Sequence, residues 1–292
     1  MIRRFSIPLL LALCGCTNVF FQPSKAHFTH PDEYPIPPRD GFVQSSDGTN
    51  LHGWWFATDR SPARGSVVQF HGNAENLSTH AVSMQWLLKY GYNVFTFDYR
   101  GYGKSEGAPF HSGIHEDARA AIARANELSA EKTPLILWGQ SLGAVILLDA
   151  IQGQPEIPNL SAVIVEGTFF AHQAIGREML SRSWITWPFQ WMSYLLVSNR
   201  YSPKKTLRRD HPQVPVLWMH SRHDPVIPYK HGEKVYDHLW NPRCRIEVPE
   251  KGHIGLTSLA KGKYRENVLD FLSSRACPHS GTNPKETRQD PR

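Results

Sequence analysis

A serine hydroxyl is a poor nucleophile on its own, because it ionises far above neutral pH and needs a base beside it before it can attack a carbonyl. One serine of this chain lies in a setting that could supply that geometry. Gly139-Gln140-Ser141-Leu142-Gly143 follows the apolar run Leu135–Trp138 and opens the apolar run Leu142–Ile151. Gly-x-Ser-x-Gly between a strand and a helix makes a turn so tight that only small residues fit two positions either side of the serine, and it lifts the hydroxyl above a sheet. The partners are expected further along in the order acid, then histidine. Val216–Met219 runs into His220-Ser221-Arg222-His223-Asp224, and Arg245–Val248 runs into Pro249-Glu250-Lys251-Gly252-His253, so Asp224 and His253 both fall on loops after expected strands. His253 is the candidate base for Ser141, and Asp224 the carboxylate that would hold the imidazole in the required tautomer. His223 and Asp210 are rivals of the right type, but neither combines the chain order with a place after a strand.

Attack by such a serine leaves negative charge on the carbonyl oxygen, which preorganised N–H donors must meet. The backbone N–H of Leu142 is one expected donor. The second is assigned to the N–H of Asn73, in the loop His71-Gly72-Asn73-Ala74-Glu75-Asn76 after the first central strand. Asn73 and Asn76 also suit turns and helix caps. The chain has 15 histidines, yet they make no metal motif. His111 and His115 are spaced i, i+4 beside Glu116, but with no HExxH arrangement or cysteine cluster the pair reads as a solvent-facing helix start, and no metal or cofactor is expected.

The elements that must position these residues follow from hydropathy. Two β runs, Phe42–Ser46 and Leu51–Ala57, flank Asp47-Gly48 and read as a hairpin. Strands then alternate with helices: Ser66–Phe70, helix Leu77–Lys89, Asn93–Phe97, helix Ile114–Leu128, Leu135–Trp138, helix Leu142–Ile151 and Ala162–Val165. After an interruption come Val216–Met219, helix Lys230–Leu239, Arg245–Val248 and a last helix, Tyr264–Leu272. Short apolar strands alternating with amphipathic helices imply an α/β architecture: a mainly parallel central sheet covered by helices on both faces. Ligand sites of such sheets lie beyond the C-terminal strand ends, where the candidate residues fall. The interruption, about residues 169–210, reads as a short helical cap between the sixth and seventh strands of the main sheet. Its Trp184, Trp187, Phe189, Trp191, Tyr194 and Tyr201 fit either an apolar acyl pocket or packing of the insert onto the body.

The remaining signals concern compartment and partners. Met1-Ile2-Arg3-Arg4 supplies positive charge ahead of a mostly apolar run, Phe5–Leu13, which is too short for the about 20 residues of a membrane span. The segment ends in Leu13-Cys14-Gly15-Cys16, which is similar to a bacterial lipoprotein processing site. That similarity implies a signal peptide over 1–15, lipidation of Cys16, with Cys14 as the poorer acceptor, and a lipid anchor in the cell envelope, at the outer membrane facing the periplasm since Thr17 rather than Asp follows. Residues 16–40, rich in proline, are expected to form a tether, 41–275 the domain, and 276–292 a disordered tail. The formal charge of +6 falls to 6 − 2 = +4 if Arg3 and Arg4 are removed. With no basic stripe interleaved with aromatics, nucleic acid is not an expected partner. Cys244 and Cys277 would remain in an oxidising compartment, as a disulfide or as two thiols.

Taken together, His71-Gly72-Asn73-Ala74-Glu75-Asn76, Asp98-Tyr99-Arg100-Gly101-Tyr102-Gly103-Lys104-Ser105, Gly139–Gly143, His223-Asp224 and Gly252-His253 resemble the HGNAxN family of α/β-hydrolases, which includes protein depalmitoylases. The likeness spans about Phe42 to Leu272. It implies the α/β-hydrolase fold, esterase or thioesterase chemistry on acylated substrates through an acyl-serine intermediate, and Asn73 and Leu142 as oxyanion donors. The Asp98–Ser105 segment reads as scaffold, its glycines allowing a tight loop. The same triad could serve a serine peptidase or an acyltransferase, and the fold could also persist in a noncatalytic envelope lipoprotein.

Overall fold

The computed structural model describes residues 21–154 and 156–278. The signal-peptide and lipidation expectations at 1–16, and the tail from 279 onward, lie outside the described residues.

Eight strands form one sheet: β1 (Arg39–Gln44), β2 (Asn50–Phe56), β3 (Gly65–Phe70), β4 (Tyr92–Phe97), β5 (Leu135–Gln140), β6 (Leu160–Glu166), β7 (Val216–Ser221) and β8 (Arg243–Val248). Their spatial order is β1-β2-β4-β3-β5-β6-β7-β8. β1 and β2 pair antiparallel as the hairpin expected around Asp47-Gly48, and β2 is antiparallel to β4. From β4 to β8 all neighbours are parallel. Helices cover both faces, in the α/β architecture expected from the alternating pattern.

Successive side chains of a strand point to opposite faces, so a sheet buried on both sides must be apolar at odd and even positions alike. The central strands show this directly. Leu135 and Leu137 of β5, Val163 and Val165 of β6, and Val216 and Trp218 of β7 enter one core. The residues between them, Ile136, Ala162, Ile164, Leu217 and Met219, enter the other. The first core is closed by α2 (His111–Leu128), α3 (Leu142–Ala150) and α7 (Tyr229–His238). The second is closed by α8 (Tyr264–Ser274) and by the segment Leu77–Tyr90.

That last segment departs from the expected helix over 77–89. Only α1 (Leu77–His80) is α-helical, capped by the Asn76 side chain, which accepts from the Ser78 N–H at 3.0 Å; Ala81–Tyr90 winds as a 3-10 helix. At the junction the His80 carbonyl accepts side-chain hydrogen bonds from Gln69 and Ser83, which compete with continuation of the α-helical ladder.

Residues 21–40 do not behave as the free tether that their proline content suggested. Phe21 and Tyr34 are buried, Gln22–Pro23 pairs in parallel with Ala74–Glu75, and Asn76 Nδ2 donates to the carbonyls of Ser24 and Ala26. Hydrogen bonds to the loop before α1 and the burial of Phe21 and Tyr34 in the two cores together order these residues.

The insert forms α4 (His172–Ser181), a 3-10 turn (Trp187–Met192), α5 (Ser193–Leu196) and α6 (Pro203–Thr206). Both expectations for its aromatics need correction for most of them. Trp184 is 85% exposed, and Trp187, Phe189, Trp191 and Tyr194 also face solvent, as do Ile185 and Leu195. Tyr201 does pack, stacking on His111 and His115 of α2. His115 is correspondingly buried beside Asp149, at 3.0 Å, rather than facing solvent.

Cys244 of β8 and Cys277 after α8 are bonded through their sulfurs, with Cα atoms 4.9 Å apart and a separation of 33 residues. The bond ties the last helix to the edge strand. Closing a loop of that length stabilises a fold by about 3–4 kcal/mol through the unfolded chain. The Cys277→Ser variant should therefore unfold about 6–16 °C below the wild type in a non-reducing thermal melt, and the gap should vanish in reductant. Equal midpoints without reductant would remove the bridge as a source of stability.

Candidate active site

The elbow residues are held by contacts that explain each glycine. Ser141 has φ 55° and ψ −119°, a strained conformation between β5 and α3, with its N–H donated to the Glu166 carbonyl at 2.8 Å. A Cβ on Gly143 would overlap the carbonyl oxygens of Phe70 and His71, and one on Gly139 would overlap the Ala144 backbone. The turn is thus pressed against the end of β3, which brings the loop His71–Asn76 to its side. A Cβ on Gly72 would lie only 3.8 Å from Cβ of Ser141.

Three residues distant in the chain meet above the sheet. His253 Nε2 lies 2.8 Å from Ser141 Oγ, and His253 Nδ1 lies 2.7 Å from Asp224 Oδ2. With the carboxylate accepting at Nδ1, the tautomer presents a lone pair at Nε2 to the serine hydroxyl, which then donates. The Asp224 carboxyl is fully enclosed, and its Oδ1 accepts from the N–H groups of Val226 and Ile227, both at 2.8 Å. These two bonds fix the carboxylate while the other oxygen holds the imidazole. The structure does not bring the rivals here: His223 and Asp210 are exposed on their loops.

Leu142 is the first residue of α3, so its N–H has no acceptor within the helix and points where the macrodipole is positive. The Asn73 side chain is anchored on the other side, its Oδ1 accepting from the Gln22 N–H at 3.1 Å and the Tyr102 hydroxyl at 3.2 Å. Asp98–Ser105 braces this loop from behind. Asp98 Oδ1 accepts from the Leu77 N–H at 2.7 Å, Ser105 Oγ donates to the Asp98 carbonyl, and Arg100 is bound by Asp117 and Asp47. Gly101 and Gly103 both have positive φ, which the tight loop requires.

Beneath the site runs a buried polar chain that motif reading passed over. Glu166, the last residue of β6, has no exposed surface. Its carboxylate accepts from Trp138 Nε1 at 3.0 Å, from Gln140 Nε2 at 2.8 Å and from the Leu256 N–H at 2.6 Å, and Gln140 in turn accepts from Gln69. Burial pushes the Glu166 carboxyl above its ordinary range, against the pull of these three donors. One side chain therefore connects the strand before Ser141 to the loop carrying His253. His220, packed at 3.4 Å behind Asp224, was also missed; burial pushes its imidazole down, and it donates to the Ile227 carbonyl. Gly167 is a third, since a Cβ there would overlap the His253 carbonyl. The signal available in the sequence was a charged residue closing the apolar run Leu160–Val165.

A cleft of about 430 Å³ between α4 and α7 is lined by Arg177, Glu178, Tyr194, Lys230 and Lys234, and it does not include Ser141.

Residues 61–211 match the family model described as serine aminopeptidase, S33. The chain is 32% identical over 282 residues to the protein YfhR of Escherichia coli (strain K12), covering 93% of this chain and 95% of that one. It is 27% identical over 225 residues to the lysophosphatidylserine lipase ABHD12 of Danio rerio, covering 67% of this chain and 57% of that protein. Among solved structures it is similar to an esterase of Pyrococcus furiosus with a TM-score of 0.67 at 18% identity, over 87% of this chain and 97% of the other. With a sheet of this order and a family match over half its length, the chain belongs to the serine aminopeptidase S33 family of α/β-hydrolases.

Proposed function

We propose that the protein is a serine hydrolase that cleaves carboxylic ester or thioester bonds of acylated or lipid-like substrates. The observation that carries this reading is the hydrogen-bonded chain from Ser141 Oγ through His253 to Asp224. In the mechanism it supports, Ser141 Oγ attacks the substrate carbonyl carbon as His253 Nε2 takes the hydroxyl proton, and Asp224 stabilises the imidazolium. The carbonyl oxygen becomes an anion between the N–H groups of Leu142 and Asn73, where each donor contributes about 2.7–4 kcal/mol to the transition state. Collapse breaks the bond to the leaving oxygen or sulfur, which receives the proton from His253. Water, deprotonated by the same nitrogen, then attacks the acyl-Ser141 carbonyl and releases the carboxylic acid and free serine.

The lipid-like substrate class rests on separate support. Within one short insert Trp184, Ile185, Trp187, Trp191 and Leu195 are all exposed, and apolar side chains of this kind suit a bilayer interface. Among the described residues no helix is long and apolar enough to cross a membrane. A lipid anchor on Cys16, in the bacterial envelope, would hold the insert at its substrate. The S33 family description favours a second reading, cleavage of peptides by the same residues, and acyl transfer would need only a different acceptor in the second step.

A fluorophosphonate probe should label the wild type and leave Ser141→Ala unlabelled, and equal labelling would reject the nucleophile. Against a panel of p-nitrophenyl esters, acyl thioesters and aminoacyl peptides, esters or thioesters should be turned over faster; a peptide preference would establish the second reading. The Asp224→Asn variant should keep its fold by circular dichroism while kcat falls on the order of 10³–10⁴-fold, through the wrong imidazole tautomer. Palmitate labelling of the full chain expressed in a bacterium should be lost in Cys16→Ser; retained labelling would discard the anchor.

A further inference from the structure

We propose that His27, His52 and Asp98 bind a divalent transition-metal ion of the zinc class, which fastens the N-terminal segment to the scaffold behind the loop carrying Asn73. The three residues come from separate parts of the chain: the segment before β1, strand β2 and the loop after β4. One ligand atom from each converges, all within 4.8 Å of one another. His52 Nδ1 and Asp98 Oδ2 stand 3.8 Å apart on side chains with no exposed surface.

Their hydrogen bonding marks this as more than a polar cluster. His27 Nε2, His52 Nδ1 and Asp98 Oδ2 are all enclosed, and none has a hydrogen-bond partner among the described residues. The reason for His52 is visible on its other side. Its Nε2 lies 2.6 Å from Asp40 Oδ1, which also accepts from Trp54 Nε1 at 2.7 Å. A carboxylate accepting at Nε2 holds the proton there and leaves a lone pair at Nδ1, which faces the Asp98 carboxylate oxygen. Two acceptors facing each other repel, and an ion between them turns both into ligands. An imidazole oriented by a carboxylate through its outer nitrogen is also the usual support of a metal-binding histidine.

The donor set selects the class of ion. Two imidazole nitrogens with one carboxylate oxygen suit zinc and its neighbours, whereas calcium and magnesium take oxygen ligands. In a tetrahedral zinc site the ligand atoms stand about 3.4 Å apart, so the His52–Asp98 pair needs to close by only about 0.4 Å. Three protein ligands leave the fourth position of a tetrahedral site for water. A Cβ on Gly103 would overlap Asp98 Oδ2, so the glycine leaves that oxygen accessible at close quarters. The other oxygen, Oδ1, already holds the Leu77 N–H at the start of α1. An ion here would thus connect the docked segment around His27 to the residue that supports the Asn73 loop, and its role is structural.

The test needs no substrate, so its outcome is independent of the hydrolase reading. The full chain, stripped with a chelator, is titrated calorimetrically with zinc alone. The expected result is one saturable site, at least tenfold weaker in both His27→Ala and Asp40→Asn, with zinc raising the thermal midpoint of the wild type but not of His27→Ala. Should His27→Ala fail to fold, Asp40→Asn, which alters the group that meets His52 Nε2 and Trp54 and removes no proposed ligand, carries the same comparison. Absence of saturable binding, a midpoint unmoved by zinc, or unchanged affinity in the folded variants would overturn the site, the last by placing the ion on other histidines.

Discussion

The His253 imidazole must face a hydroxyl on one side and a carboxylate on the other, and that double demand governs the rest of the structure. Each hydrogen bond is under 3 Å, and each partner comes from a different strand end. Such a constellation tolerates little drift, because misplacement by about an ångström costs on the order of a hundredfold in rate in positioned chemistry. The parallel strands β5, β7 and β8 end on the same side of the sheet, so their following loops are neighbours before any side chain is chosen. Close packing then sets the heights: Gly143 lets α3 press against the end of β3, and Gly167 lets the His253 loop pass over β6.

Rigidity beneath the site comes from polar groups rather than from apolar packing alone. Glu166 holds Trp138, Gln140 and the Leu256 N–H at once, so the strand carrying the serine and the loop carrying the histidine share one buried anchor. Leaving a buried donor of this kind unpaired costs about 1–3 kcal/mol. The network therefore penalises any local shift that would separate the two halves of the site. Asp224 is held in the same manner by two backbone N–H groups, with His220, whose imidazole burial pushes down, behind it.

The molecule is less uniform at its periphery. The cap turns its large apolar side chains outward, contrary to the expectation that they line a pocket or bind the insert to the body, while Tyr201 alone of the aromatics named there stacks inward on α2. Nearer the N-terminus, residues 21–40 are drawn onto the body by hydrogen bonds between their backbone and the side chains of Asn73 and Asn76. Proline-rich composition describes how a segment behaves alone. It carries no information about a receptive loop some fifty positions away that can supply its missing backbone partners.

Local rules were enough for much of this. Runs of four to six apolar residues alternating with helical periodicity specify a parallel sheet covered on both faces, because no other arrangement buries both sides of every strand. The elbow was legible because its glycines answer a steric demand written within five residues, and Asp224 and His253 because each follows a strand in the required order. What the tertiary structure alone decided were the relations between residues distant in sequence: Glu166 joining two loops, the outward face of the cap, the docking of residues 21–40, and the meeting of His27 with His52 and Asp98. Periodicity and spacing report on neighbours along the chain, whereas a hydrogen bond or an enclosed acceptor depends on which atoms the fold brings to within about 3 Å.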